Sequence, residues 1–342
     1  MKALYFEEHG DIEVIKYGDV PDPDIKAEEV LVKVGACGLN HLDIWVRKGL
    51  PGIDLKLPHW GGADIAGEIV ETGSEVTGWE KGQRVVVDPG INTREDEFTR
   101  RGEPTMSPGY QILGEQRPGG MAEYIAVPAG NLLLMPVDLD YPEAAAPLLV
   151  SLTAWRMLIN RAGLRAGESV LIVGAGGGVN SMAIQVAKIA GAYVYVVAGD
   201  AEKAESARQT GADVVMDRTQ VDWGKMIFKV TQKRGVNVVV DNVGRETLKT
   251  SMKAAARGGR IVIVGNTSGA EAQIDIRYIF GKQISLIGST MGTHQDFIDV
   301  TGMLWSGKLK PVIDRVLPLK QGKDAYRILE QGNQFGKVVL KP

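Results

Sequence analysis

Between Ser169 and Ala192 the sequence reads SVLIVGAGGGVNSMAIQVAKIAGA, an apolar run, a glycine cluster and a helical pattern without a gap. Val170 to Val173 is a short, β-branched run of the kind that forms a strand buried on both faces. Four of the next five residues, Gly174 to Gly178, are glycine, so a tight turn must come next. Ala183, Val186, Ala187 and Ala190 then fall at helical spacing, and the turn opens a helix whose first N–H groups point back toward the glycines. Such a start suits phosphate, because glycine allows close approach and the positive end of the helix dipole favours the charge. The six-position glycine fingerprint is incomplete. Counted from Gly174 its last position holds Val179; counted from Ala175 its first and last positions hold Ala175 and Asn180. Alone, the loop is also compatible with a simple turn, and the residues beyond Ala192 decide between the two.

There, strands and helices alternate. Tyr193 to Ala198 reads as a second strand, Ala201 to Thr210 as a helix, Asp213 to Met216 as a third strand and Val236 to Val240 as a fourth, with Arg260 to Val264 and Ile284 to Ile287 completing the set. Strands separated by helix-length segments need crossover connections, so this half is predicted to be a doubly wound parallel sheet with the Ser169 strand at its centre. That context gives the glycine loop the strand before and helix after that dinucleotide binding requires.

The first half differs. Val30 to Val34, Ile65 to Val70, Arg84 to Val87 and Ala122 to Val127 are strand signals separated by glycine turns, which predicts a β-rich domain. Between Asp88 and Gly119 lies a polar stretch, punctuated by proline and glycine, that is longer than most connections in a compact domain. At 342 residues the chain suits two domains. A hydrophobic content of 44% with 24% charged residues is that of an ordinary globular protein, and no apolar run is long enough to cross a bilayer. The N-terminus lacks the layout of a signal peptide, which predicts a cytoplasmic protein. The single cysteine, Cys37, excludes an intrachain disulfide and a cysteine-based zinc cluster. A net charge of −3 without any basic block argues against nucleic acid as a partner.

Six blocks in order, GLNHLDIWVRKG (38–49), GADIAGEIVETGSEVTGWEKGQRVV (62–86), GGMAEYIAVP (119–128), SLTAWRML (151–158), VDNVG (240–244) and GKLKPVIDRVLPL (307–319), resemble the medium-chain dehydrogenase/reductase superfamily. The resemblance runs nearly end to end. It implies an α/β protein with a GroES-like, β-rich catalytic domain over 1–149 and 294–342, and a Rossmann domain with a doubly wound parallel sheet over 150–293. It also implies an NAD(P)-dependent oxidoreductase.

Alcohol dehydrogenases of this superfamily hold a catalytic zinc with a cysteine, the histidine of a Gly-His-Glu motif and a second cysteine. In the matching frame Cys37 stands at the first position, Gly62-Ala63-Asp64 replaces the motif, and Leu149 replaces the second cysteine. Zinc needs three protein ligands and an open position, so no bound metal is expected. His41, four residues after Cys37, could ligate on a helix but reads more simply as a pocket or surface residue. The polar stretch resembles the family's structural zinc lobe, with Thr93, Asp96, Thr99 and Ser107 where four cysteines would be; contacts other than metal must order it, or it is mobile.

For the cofactor, the resemblance implies contacts from Thr153, from the loop Ala175, Gly176, Gly177, Gly178, Val179 and Asn180, and from Asn242, Val264, Gly265, Asn266 and Ser289. Lys337 resembles a basic residue that reaches the pyrophosphate, or else is a solvated lysine. NAD enzymes place an acid about 20 residues beyond the glycines for the ribose 2′-OH. That position is Ala198, followed by Gly199, and Lys203 is the nearest cation for a 2′-phosphate. This favours NADP, although Asp200 pulls toward NAD.

Without zinc, conjugate reduction is the easier chemistry: charge spreads to oxygen, where hydrogen-bond donors can meet it. The pattern Gly38, Leu39, Asn40, Asp43, Arg47, Gly49 resembles the zinc-free quinone oxidoreductases. It implies Asn40 as a positioner of nicotinamide or substrate oxygen, with Asp43 beside it; Asp43 and Arg47 could equally form a structural ion pair. His59 and Trp60 are the candidates for a donor and a stacking wall. A Tyr278-x-x-x-Lys282 pair lies outside the context such a pair needs. The expected reaction is thus hydride transfer to a quinone or other activated alkene or carbonyl. A zinc-independent alcohol dehydrogenase and a non-catalytic nucleotide-binding protein are the alternatives. The segment GKQISLIGST reads as an edge strand, and the resemblance implies that it pairs with its own copy in a homodimer or homotetramer.

Overall fold

The computed structural model describes all residues from Met1 to Pro342. The chain forms two compact units, Met1–Leu149 with Thr293–Pro342, and Val150–Gly292.

In the first unit the alternation seen in the sequence becomes a seven-stranded sheet. Its main path runs Ile313–Pro318, Lys337–Lys341, Glu29–Gly38, Asp64–Thr72, Arg84–Val87, Leu132–Leu134, and Tyr124–Pro128 pairs beside Glu29–Gly38. Val30, Val32 and Val34 point to the core while Lys33 between them is exposed, the period of two that a half-buried strand requires. Ile65, Ile69, Val85, Val87, Val338 and Leu340 join them in one apolar cluster, and so does Cys37. The strand predicted from Ala122 begins at Tyr124.

The polar stretch is ordered by hydrogen bonds. Gly90–Asn92 pairs antiparallel with Tyr110–Ile112. Asp96 caps the short helix Glu97–Arg100, accepting from the Phe98 and Thr99 amides, and its other oxygen accepts the Ser107 hydroxyl at 2.6 Å. Thr99 Oγ1 accepts from the Asp96 amide, and Thr93 Oγ1 donates to the Gly109 carbonyl at 2.9 Å. The four residues at the expected cysteine positions are thus donors and acceptors for one another and for the local backbone. The Ser107 hydroxyl, with the amides behind it, holds the Asp96 carboxyl below its ordinary range.

The second unit is a six-stranded parallel sheet: β1 (Ser169–Val173), β2 (Tyr193–Ala198), β3 (Val214–Asp217), β4 (Val236–Asp241), β5 (Ala255–Ile263) and β6 (Ser285–Gly288). Their spatial order is β3-β2-β1-β4-β5-β6, so the chain reverses direction beside β1. Every strand pair is parallel. The helices α1 (Gly178–Ile189) and α2 (Ala201–Thr210) follow β1 and β2. The strand β5 starts five residues before the predicted Arg260, because Gly258, at φ +70°, lets it kink and keep its pairing. No helix of the chain is long and apolar enough to cross a membrane.

Candidate functional site

The second unit carries a nucleotide crevice at the carboxyl ends of its strands. Gly174 leaves β1 at φ +90°, a conformation that a side chain would strain. The helix α1 has Gly177 as N-cap and no side chain capping it, so its first N–H groups are open to an external acceptor. A Cβ built at Gly177 would meet nothing within 4 Å.

The Asn180 side chain turns inward. Its Nδ2 donates to the Val173 and Gly174 carbonyls at 3.0 and 2.6 Å, and its Oδ1 accepts from Asn242 Nδ2 at 2.9 Å. Asn242 Oδ1 in turn accepts from the Val264 amide at 3.0 Å. This chain of amides stitches together the ends of β1, β4 and β5, where the strand order reverses and open α/β sheets bind their ligands. Asn180, Asn242 and Val264, expected as cofactor contacts, are therefore engaged in shaping the crevice. Thr153 Oγ1 and Ser289 Oγ are buried without a hydrogen-bond partner. An orphaned buried hydroxyl calls for a partner outside the chain, so these residues fit a dinucleotide.

At the end of β2, Ala198 is fully buried and offers no carboxylate. Asp200 caps α2: one oxygen accepts the Lys203 amide at 2.8 Å, and the other lies 3.5 Å from Lys203 Nζ. Arg218 enters here, a residue that no sequence motif marks. Its amide donates to the Ala198 carbonyl, and its Nε lies 4.0 Å from where a Cβ on Gly199 would stand. The one signal that points to it is a basic residue directly after β3, the strand that pairs beside β2.

In the first unit, three residues far apart in sequence meet. Lys337 opens the strand Lys337–Lys341, Asp64 opens Asp64–Thr72, and Asn40 is the N-cap of the helix His41–Lys48. Lys337 Nζ donates to Asp64 Oδ2 at 2.7 Å and to Asn40 Oδ1 at 2.6 Å, and Asn40 Nδ2 donates to Asp64 Oδ2 at 2.8 Å. Asp64 Oδ1 accepts the Leu149 amide at 2.5 Å. All three side chains are buried. Removing one partner of such a pair would leave a buried charge uncompensated, at a cost of about 3–5 kcal/mol. Lys337, expected at the pyrophosphate or in solvent, thus has its ammonium held inside this unit.

The neighbouring carboxylate, Asp43, closes a capping box by accepting the Asn40 amide at 2.7 Å, and it also accepts the Gly62 amide at 2.8 Å. Burial pushes its carboxyl up to about 6 against those two hydrogen bonds. It makes no ion pair with Arg47. The fully buried Arg47 pairs instead with Glu330, donates to the Gly10 carbonyl and lies over the Tyr326 ring.

These residues do not fit a zinc ion. No group of three or more His, Cys, Asp and Glu side chains is placed to hold a metal. Cys37 lies in the apolar cluster with Ile65 and Leu340, its strand partners. Burial, with Asp43 and Asp64, raises its thiol well above the ordinary range, whereas metals bind the thiolate. His41 stacks edge-on against Trp45.

His59 differs from its expected role as a donor. Its backbone bridges Phe6, its buried ring lies edge-on to Phe6, and Nε2 is 3.2 Å from the Gly114 carbonyl. Trp60 packs with Ala3, Val20 and Ala122 in a small apolar cluster rather than forming an exposed wall. Lys282 donates to the carbonyls of Lys253 and Ala255 at the end of the helix Leu248–Ala254, and its ammonium lies over the Tyr278 ring at 5.6 Å, a packing contact rather than a catalytic pair.

Residues 26–137 match the family model described as the alcohol dehydrogenase GroES-like domain, and residues 178–306 match that of the zinc-binding dehydrogenases. An NAD-dependent alcohol dehydrogenase of Saccharolobus solfataricus is 33% identical over the whole length of both chains. The quinone oxidoreductase of Homo sapiens is 30% identical over 99% of this chain and 97% of its own. A crystal structure described as an NAD-dependent alcohol dehydrogenase is 41% identical, covers both chains completely and superposes with a TM-score of 0.96.

Proposed function

The chain belongs to the medium-chain dehydrogenase/reductase superfamily as an NAD(P)-dependent oxidoreductase, and on that premise we propose that it transfers hydride to a quinone or other activated alkene or carbonyl without a metal. The observation that carries this reading is the Asn40–Asp64–Lys337 cluster. Asp64, where the family's motif has its glutamate, is already paired with a protein cation, and the three ligand positions hold a core thiol, Ala63 and Leu149. A bound nicotinamide would supply the hydride. This chain's part is to hold the dinucleotide on the open N–H groups of α1 and to present donors to the substrate oxygen.

A steady-state screen of chelator-treated protein with NADPH and NADH against quinones, enones and aldehydes tests the reading. Turnover that vanishes on chelation and returns with zinc refutes it. A metal-free alcohol dehydrogenase is the second reading, favoured by the 41% identical relative. Oxidation of simple alcohols with NAD(P)+, faster than any quinone or enone reduction, would select it. For the cofactor, NADPH is the preferred form in this proposal, supported by Ala198 and the cations around Gly199.

The proposal includes a homodimer built on β6. That strand ends the sheet, with Leu286 exposed on it and Ile276 and Phe280 exposed on the helix before it. Unpaired apolar edges are normally covered. A monomer by light scattering at micromolar concentration refutes it.

A further inference from the structure

We propose that the Lys337 ammonium is the carbonyl-polarising cation of this protein, filling the role that a metal fills in relatives; the inference rests on the hydride-transfer reading of the same site. An ammonium carries three donors. Two are directed at Asp64 Oδ2 and Asn40 Oδ1, and the third has no acceptor in the chain. The side chain is 4% exposed, so the open donor is a desolvated one, where electrostatic stabilisation of a developing charge is strongest.

The setting keeps this donor in place. Its three members sit on two strand starts and one helix cap, and regular elements hold side chains more precisely than loops do. Asp64 is fixed from behind by the Leu149 amide, and Asn40 by its capping box with Asp43. Gly38 leaves the space: a Cβ there would lie 3.2 Å from Lys337 Cε and 3.1 Å from Asp64 Cβ. A lysine that served only to neutralise Asp64 would need none of the Asn40 contact, which orients the ammonium rather than adding charge.

The chemistry balances without a metal. A bound reduced nicotinamide would supply the hydride for the new C–H bond, at the β-carbon of an enone or at the carbonyl carbon itself. The π pair shifts onto the carbonyl oxygen, where the third Lys337 N–H meets the developing charge, and solvent delivers the proton that completes the product.

The test uses 4-(dimethylamino)cinnamaldehyde, whose absorption band moves to the red when a cation polarises its carbonyl, with chelator-treated full-length protein and NADP+. Lys337→Met alone strands the Asp64 charge and threatens folding, so the informative variant is Lys337→Met with Asp64→Asn. There the new amide accepts the Leu149 N–H through oxygen and donates to a flipped Asn40, leaving no orphaned charge. Wild-type protein is expected to shift the probe band, and the double variant to melt within a few degrees of it without shifting the band. Turnover of the double variant should fall about 100- to 1,000-fold, the usual effect of losing one such donor, with a smaller change in KM. A double variant that keeps both shift and turnover overturns the role of Lys337 and leaves metal-free hydride transfer standing. So does a chelated wild type that turns over without any shift. Loss of wild-type shift and turnover on chelation, with recovery on adding zinc, overturns both.

Discussion

Replacing Arg218 by alanine isolates what the β2–α2 corner does for cofactor choice. The Arg218 guanidinium is exposed beside Gly199, and the Lys203 side chain passes the same point, its Cδ 3.9 Å from where a Cβ on Gly199 would stand. No carboxylate occupies the end of β2, since Ala198 is there, and the nearby Asp200 is committed to capping α2 and to Lys203. A 2′-phosphate at this corner would meet two cations, one of them already shared with an acid. A hydrogen bond to a charged group contributes about 1.5–3 kcal/mol. Exposure of Arg218 places it at the low end, so Arg218→Ala should weaken NADPH binding about tenfold and leave NADH within about twofold. Fluorescence titration of both reduced cofactors at fixed ionic strength measures this directly. Ala198→Asp should then reverse the preference by placing a carboxylate where the ribose 2′ position is read. Equal loss for both cofactors would mean that Arg218 touches the shared diphosphate or only the fold. No loss for either would remove it from the site and return the choice to Asp200.

Glu330→Gln should destabilise the fold by about 2–4 kcal/mol in denaturant unfolding, because it strands the fully buried Arg47 guanidinium; a neutral result would mean that Asp43 is the true counter-ion. Asn180→Ala should cost about 1–3 kcal/mol and weaken both cofactors alike, since it unties β1 from β4; unchanged stability and affinity would show that the amide chain positions nothing. The hydrogen bond from His294 Nδ1 to Asp88 Oδ2, at 2.8 Å, raises the His294 imidazole above its ordinary 6.5. Its folded pKa lies above the unfolded one, so its stabilisation is full below about pH 6.5 and is lost as pH rises through the raised value. Wild type and His294→Ala should therefore differ most in melting temperature near pH 6 and converge in mild alkali; a gap that widens with pH would show the sign to be wrong.

The sheet of the second unit is legible in the sequence because its signals are local. A β-branched run, a glycine turn and a helical period each declare themselves within a dozen residues, and the predicted Tyr193–Ala198 strand and Ala201–Thr210 helix coincide with the observed ones. That the lobe lacks the family's four cysteines is legible for the same reason, as residue identity at single positions. What replaces them is not. In the lobe, Asp96 can be recognised as a non-cysteine, but its bond to Ser107 depends on a loop closure spanning eleven positions. Arg218 escapes the sequence because it reaches Gly199 across a strand pairing, and His59 departs from its expected place because its bridge to Phe6 closes over the strands Lys16–Asp19 and Glu29–Gly38 and the helix His41–Lys48.

The Lys337 ammonium is the extreme case, brought to Asn40 over 297 positions and to Asp64 over 273. A lysine near a C-terminus reads as solvated because most are. Only the sheet shows that the strand it begins pairs beside Glu29–Gly38, which in turn pairs with Asp64–Thr72. The same pairing explains how Asp64 stays buried where the family's motif has its glutamate. A carboxylate without a metal must be paired or protonated, and here a lysine provides the countercharge. On the proposed reading, in which the Lys337 ammonium stands in for a metal beside Asp64, introducing Ala63→His and Leu149→Cys alone should not recruit zinc while Lys337 remains.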